Sequence, residues 1–358
     1  MVYLPQLLRR IALAIYIHKQ KEWPDFHWNQ EHISPILAQV RYRQGRLLGR
    51  MEGLGFNLRA EASLHTLTLD VLKSSEIDGE MLNPDQVRSS IARRLGVDMV
   101  RVTPADRHVE GMVEMMLDAT QNHKAALTNE RLFSWYAAMF PAGRSGKGKE
   151  KVHFQAPDSN GLVTETNKFL VWFNRAGRVD PVIKAAIAHV WFVTMRPFDD
   201  GNGRIARAIT DMQLSRADQC PQRFYSMSAQ IQNERKGYYE LLEKTQKGTR
   251  DITAWLEWFL NCLDRALANT DEALGVVLQK ARFWETHATT PLNDRQRTML
   301  NKLLAGFDGK LTSSKWARTT KSSQDSAGRD INDLLQRGIL VKEPGGGRST
   351  SYMLAIFK

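Results

Sequence analysis

Residues 189–207 read HVWFVTMRPFDDGNGRIAR, and their types and spacing suit a polyphosphate. Gly201-Asn202-Gly203 follows a strongly apolar run. Without Cβ atoms in the way, backbone N–H groups at such a loop can converge on phosphate oxygens. A helix that starts at these glycines adds the partial positive charge of its N-terminus. Arg204 and Arg207 stand three residues apart, on one helical face, where both reach the same phosphate chain. Asp200, just before the loop, is placed to hold Mg2+ against those phosphates. The ensemble predicts an ATP site that works by positioning and charge neutralisation.

The elements that must position this loop are mostly helical. Leu64, Leu67, Leu69, Val71 and Leu72 predict a helix over 59–76 that ends near Asp78-Gly79, where Gly79 suits the position after a helix. Asn83-Pro84-Asp85 opens another helix, which runs to Leu95-Gly96. Residues 8–50 read as helical with a break at Trp23-Pro24-Asp25. Residues 108–140 read as two helices parted by the polar stretch from Gln121 to Lys124. Residues 141–151 are rich in Gly and Lys and predict a loop. Residues 152–164 are turn-rich, and Asn160-Gly161 is a hairpin signal. Helices dominate from 165 to 290. Residues 312–320 and 326–336 then read as two short helices. They are followed by Ile339-Leu340-Val341, a turn at Gly345-Gly346-Gly347, and Tyr352-Met353-Leu354. Helix–turn–helix followed by a two-stranded hairpin is the winged-helix pattern. The chain is therefore expected to be mainly α, with a small β-hairpin. Three domains are expected: helical over 1–105, catalytic over 106–290 and winged helix over 291–358.

The stretch from Arg196 to Arg207 resembles the signature of the Fic (filamentation-induced-by-cAMP) family, H-P-F-x-[D/E]-G-N-G-R-x-x-R. Other segments extend the resemblance. Ser74-Ser75-Glu76-Ile77-Asp78-Gly79 is similar to the inhibitory-helix motif of Fic proteins that carry it upstream. Lys151-Val152-His153-Phe154 is similar to the flap that docks the target's side chain. Tyr238-Tyr239 matches the helix that covers the nucleotide base. The opening Trp23 to Trp28 and the terminal winged helix fit one Fic subgroup. The resemblance implies a Fic helical core with a β-hairpin flap, and transfer of AMP from ATP to a hydroxyl of a target protein. It assigns Mg2+ to Asp200. The α- and β-phosphates go to Gly201, Asn202, Gly203 and Arg204, and the γ-phosphate goes to Arg207. Tyr238 and Tyr239 fall at the nucleotide base, and Val152, His153 and Phe154 in the flap. Ser74, Asp78 and Gly79 form the inhibitory motif, whose carboxylate blocks Arg207.

Three departures qualify that picture. The family's general base is a histidine, and Arg196 stands in its place. Arginine offers five donors and no acceptor and cannot take a proton near neutrality. A general base contributes ~10²–10⁴-fold, so AMP transfer is expected to be impaired while nucleotide binding survives. His189 lies two helical turns back and reads as a buried histidine. The inhibitory carboxylate is Asp78, one methylene shorter than the usual glutamate. A segment expected before the flap is also missing between Gly146 and Lys151. The alternative reading is a nucleotide-binding pseudoenzyme that regulates DNA or a protein partner.

Composition bounds the rest. The chain has 358 residues, 42% hydrophobic and 25% charged, which excludes wholesale disorder. Two cysteines, Cys220 and Cys262, exclude a disulfide framework. The net charge is +11, and it sits at the ends: residues 1–50 carry +5, residues 292–358 carry +6, and the remainder cancels. The C-terminal excess suggests DNA as a partner of residues 292–358. The longest apolar run near the start, Ile11 to Ile17, falls far short of the ~20 residues that cross a bilayer. A cytoplasmic protein without membrane contact is expected, with a homodimer left open.

Overall fold

The computed structural model describes residues 16–99, 102–141, 159–304, 306–307, 309–343 and 350–355. It divides into two compact units, residues 1–271 and 272–358.

Among its described residues, the regular elements of the first unit are helices, with one isolated bridge between His27 and Asp251. Helix α1 (Gln30–Glu52) opens on Asn29, whose side chain accepts the His32 N–H. Helix α2 (Phe56–Ile77) ends at Asp78, and Gly79 turns the chain away with a φ of +84°. Helix α3 (Pro84–Leu95) begins where Asn83 accepts the N–H groups of Asp85 and Gln86, and it ends at Gly96 in the left-handed region. These are the boundaries that the cap residues dictate. Helices α4 (Arg107–Gln121) and α5 (Asn129–Met139) are capped by Asp106 and Thr128.

Helix α6 (Ser159–Asn174) corrects one expectation. Asn160-Gly161 lies in its first turn and makes no hairpin. The N–H groups there lack intrahelical partners in any case, so a small polar pair is tolerated. The flap residues Val152, His153 and Phe154 lie outside the described residues.

Helices α7 (Pro181–Met195) and α8 (Asn202–Asp218) form the centre of the unit and pack along each other. Asp180 caps α7 by accepting the Val182 N–H at 2.7 Å, and Arg41 of α1 pairs with Asp180 at 3.0 Å. Helix α7 is buried on nearly every side, which explains its unbroken apolar sequence. Its Trp191 and the N-terminal Trp23 both donate to one Glu165 oxygen of α6, at 3.0 and 2.6 Å. That shared acceptor ties the segment before α1 to the centre. Helices α9 (Met227–Asn233), α10 (Arg235–Gln246) and α11 (Thr253–Thr286) complete the set, and α11 spans the division between the units.

The second unit contains α12 (Asp294–Leu304), α13 (Ser313–Thr320), α14 (Gln324–Gln336) and strands β1 (Leu340–Lys342) and β2 (Tyr352–Leu354). The strands pair antiparallel, with Leu340 opposite Leu354 and Lys342 opposite Tyr352. Met299, Leu300, Trp316, Ile331, Leu334 and Leu354 form its own core. Helices α13 and α14 and both strands occupy the stretches expected from sequence. Among the described residues, no helix is long and apolar enough to cross a membrane.

Candidate functional site

The loop between α7 and α8 is built by short-range chemistry. Arg196 ends α7 by donating its N–H to the Phe192 carbonyl at 3.0 Å, with a φ of +46° and an exposed side chain. A non-glycine residue in that region carries roughly 1–2 kcal/mol of strain. Phe198 anchors the next turn by stacking on Tyr136 at 4.6 Å, with Phe133 edge-on at 5.7 Å. The Asn202 amide clasps Phe198 from both sides. Its Oδ1 accepts the Phe198 N–H at 3.1 Å, and its Nδ2 donates to the Phe198 carbonyl at 2.6 Å. The Asn202 side chain therefore shapes the loop. Gly201 has a φ of +73°, and a Cβ there would stand 3.0 Å from both Met139 Cε and the Phe140 ring. Both its conformation and its surroundings demand glycine. Asp200 Oδ1 accepts the Gly201 N–H at 2.6 Å, which holds the carboxylate at the mouth of the loop.

Arg207 is 2% exposed. Its Nε donates to Ser74 Oγ at 2.8 Å, and its Nη2 donates to the Ser74 carbonyl at 2.8 Å and to Asp78 Oδ2 at 2.7 Å. Burial works against the Arg207 charge, but the Asp78 carboxylate outweighs it and holds the guanidinium above its ordinary value. The remaining nitrogen, Nη1, is buried and makes no hydrogen bond. A Cβ on Gly203 would stand 3.2 Å from that Nη1 and 3.2 Å from Asp78 Oδ1. A carboxylate thus already lies against the glycine loop, between backbone and guanidinium. The anion already there and the spare Arg207 donor are compatible with a phosphate at this place. Asp200 offers one carboxylate, which suits Mg2+ when phosphate oxygens and water supply the other ligands. Among the described residues, no group of three or more His, Cys, Asp or Glu is arranged to hold a metal by itself.

The structure brings Ser74, Asp78, Gly203, Arg204 and Arg207 together. Tyr239, 40% exposed, places its hydroxyl 3.3 Å from Asp78 Oδ1. Tyr238 is 1% exposed, and its hydroxyl meets His189 Nε2 at 2.9 Å. His189 is fully buried, with Nδ1 2.9 Å from Thr210 Oγ1. That hydroxyl itself donates to the Ala206 carbonyl, so His189 Nδ1 is the donor and Nε2 accepts from Tyr238. Burial first, and Arg207 second, push the His189 pKa down to about 3. Both ring nitrogens are committed, and the ring stays neutral.

Sequence reasoning missed Glu80 and His108. Glu80 Oε2 takes Arg204 Nη1 at 2.6 Å, and Glu80 Oε1 lies 2.8 Å from His108 Nε2. Arg204 also lies over the Phe140 ring at 5.1 Å. The available signal was a second acid just past the inhibitory motif, but no spacing rule links Glu80 to His108.

Residues 107–214 match the Fic/DOC family. The chain carries a Fic/DOC-family domain. Residues 16–97, which include Ser74 and Asp78, match a domain of unknown function, DUF4172. Curated relatives of the Fic domain include Protein adenylyltransferase Fic of Aedes aegypti, 28% identical over 214 residues, covering 55% of this chain and 40% of that protein. The protein of the same name in Drosophila grimshawi is 26% identical over 210 residues, covering 55% of this chain and 41% of that one. The chain thus spans about two-fifths of these relatives' length. A solved Fic family protein from Desulfovibrio desulfuricans superposes with a TM-score of 0.54 at 17% identity, covering 92% of this chain and 97% of that one. At that identity the likeness concerns the fold alone.

Proposed function

We propose that this chain is an autoinhibited, ATP- and Mg2+-binding Fic protein of the adenylyltransferase type, with AMP transfer impaired at Arg196. The observation that carries the reading is the Asp78 carboxylate lodged against Gly203 and Arg207. An anion sits where the motif calls for a phosphate. The backbone of Gly201 to Gly203, Arg204 and Arg207 would hold the phosphates, and Tyr239 is the exposed ring beside them. Asp200 would hold Mg2+, whose bound charge neutralises the phosphate chain. For AMP transfer, a target hydroxyl must lose its proton as its oxygen attacks the α-phosphorus and pyrophosphate departs. Arg196 cannot accept that proton, and buried His189 is already donating and accepting elsewhere. Arg196 instead offers another cation to the α-phosphate.

Incubation with labelled ATP and a cell lysate tests this, with Arg196→His alongside. Label is expected on protein only from the histidine variant, at ~10²–10⁴ times the natural level. Equal labelling by both would remove the base argument. A failure of either form to bind ATP in calorimetry would reject the site.

The second reading is a pseudoenzyme that acts through a winged helix. Helix α14 exposes Gln324, Arg329 and Asn332, side-chain types that contact phosphates and base edges. Binding of the full chain to duplex DNA with a steep salt slope would support it, and no binding at low salt would remove it.

A further inference from the structure

The phosphate reading leaves Glu80 and His108 unexplained. His108 stands in the first turn of α4, and both its ring nitrogens face acceptors. Nδ1 lies 3.0 Å from the Met139 carbonyl, and Nε2 lies 2.8 Å from Glu80 Oε1. Neither a carbonyl nor an ionised carboxylate can donate. Nδ1 therefore carries a proton, and the Nε2 contact with Glu80, close but not aligned as a hydrogen bond, is attractive only when Nε2 carries one too. The other Glu80 oxygen receives Arg204 Nη1 at 2.6 Å. Glu80 is therefore held between two cations, one permanent and one that titrates.

We propose that Glu80 and His108 form a second latch, on Arg204, which opposes polyphosphate at the loop until His108 loses its proton. The proposal rests on the phosphate reading above and names what regulates that site. Asp78 covers Arg207 and Glu80 covers Arg204, so each motif arginine already holds a carboxylate from the segment that ends α2. A phosphate chain must displace both.

The charges that bear on His108 are Glu80 and Arg204; those that bear on Glu80 are His108 and Arg204. Arg204 Nε in turn lies 3.8 Å from Asp78 Oδ2. The Glu80 carboxylate beside it raises the His108 pKa, outweighing burial and Arg204. The His108 ring beside it lowers the Glu80 pKa, again against burial. The His108 contribution is complete below the ordinary histidine value and is lost as pH rises through the raised one. The Glu80 contribution is present above the ordinary carboxylate value and is lost as pH falls through the lowered one. The latch holds between these limits and opens on the alkaline side. There Glu80 has lost the cation that anchors it, and phosphate can displace it from Arg204.

Calorimetric titration of the full chain with Mg-ATP, and separately with tripolyphosphate, between about pH 6 and 9 tests the proposal. The natural chain is compared with Glu80→Gln, His108→Gln and the double variant Asp78→Ala/Glu80→Gln. The natural chain is expected to bind about tenfold more tightly at the alkaline end. Glu80→Gln should bind tightly throughout, with only the pH dependence of the ligand's own phosphates. His108→Gln, at a half-exposed position, should resemble the alkaline natural chain at every pH. Identical affinities and pH profiles in the natural chain, Glu80→Gln and His108→Gln would overturn the latch and leave the phosphate site standing. No binding by any form, the double variant included, would overturn the phosphate reading and the latch with it.

Discussion

Two buried arginines near α8, Arg207 and Arg223, use the same chemistry to different ends. Arg223 reaches Asp211 Oδ1 and Asp218 Oδ2, each at 3.0 Å, and lies over the Tyr225 ring at 4.2 Å. Both carboxylates are almost fully buried, at 3% and 2% exposure. Gln44 of α1 and Tyr225 donate to Asp218, at 2.9 and 2.8 Å, so the group ties α1 to α8. Arg207 has one acidic partner at 2.7 Å, Asp78, which is 27% exposed, and it keeps a nitrogen unpaired beside a glycine loop. A guanidinium shared by two sealed carboxylates holds a fold in place. A guanidinium with one partner at the surface and one spare donor can exchange that partner for a ligand.

The largest effect that would break this comparison is at Arg223. Arg223→Leu leaves buried carboxylates unpaired and is expected to cost about 3–5 kcal/mol, measured by urea unfolding. A loss under about 1 kcal/mol would mean that the network is not structural. Asp78→Asn comes next. It keeps an acceptor for Arg207 but removes the charge, so a loss of about 1–3 kcal/mol is expected. Mg-ATP affinity should rise about tenfold at the same time. A stability loss as large as that of Arg223→Leu, with no gain in affinity, would make Asp78 a structural residue like Asp211.

The difference between the two arginines also marks what the sequence can convey. The ends of α3 and the start of α8 were legible because caps and glycines act within a few residues of themselves. The likeness of Ser74 to Gly79 to an inhibitory motif placed Asp78 opposite Arg207, and the structure pairs them. The Arg223 network draws on Gln44, Asp211, Asp218 and Tyr225, which only the packed helices bring together. Glu80 and His108 were missed for the same reason. At Asn160-Gly161 a local turn signal pointed the wrong way, because the helix that follows absorbs both residues in its first turn. Tyr238 was expected at the nucleotide base, whereas its ring is buried and its hydroxyl serves His189.

The smallest predicted effect asks whether the two arginines are energetically separate. Asp70 of α2 lies close enough to Asp211 of α8 for its charge to act on it. Burial first, then the Asp70 charge, push Asp211 well above the carboxylate range, while Arg223 pulls the other way. The folded state therefore binds a proton that the unfolded chain gives up near the ordinary aspartate value. Stability from this group is complete below that value and declines as pH rises toward the raised one. Asp70→Asn removes that charge, and its oxygen can still accept from Ser226 and from the Ser228 N–H, the latter at 3.2 Å in the natural chain. The variant should be more stable at neutral pH by up to about 1 kcal/mol, with a flatter dependence of stability on pH. Mg-ATP affinity should not change, because Arg207 and Asp78 keep their contacts. Asp70 lies one helical turn before Ser74, and Asp211 lies one turn after Arg207. A shift in affinity together with stability would therefore show that α2 transmits strain between the two groups. The fold-holding arginine and the ligand-ready one would then be parts of a single device.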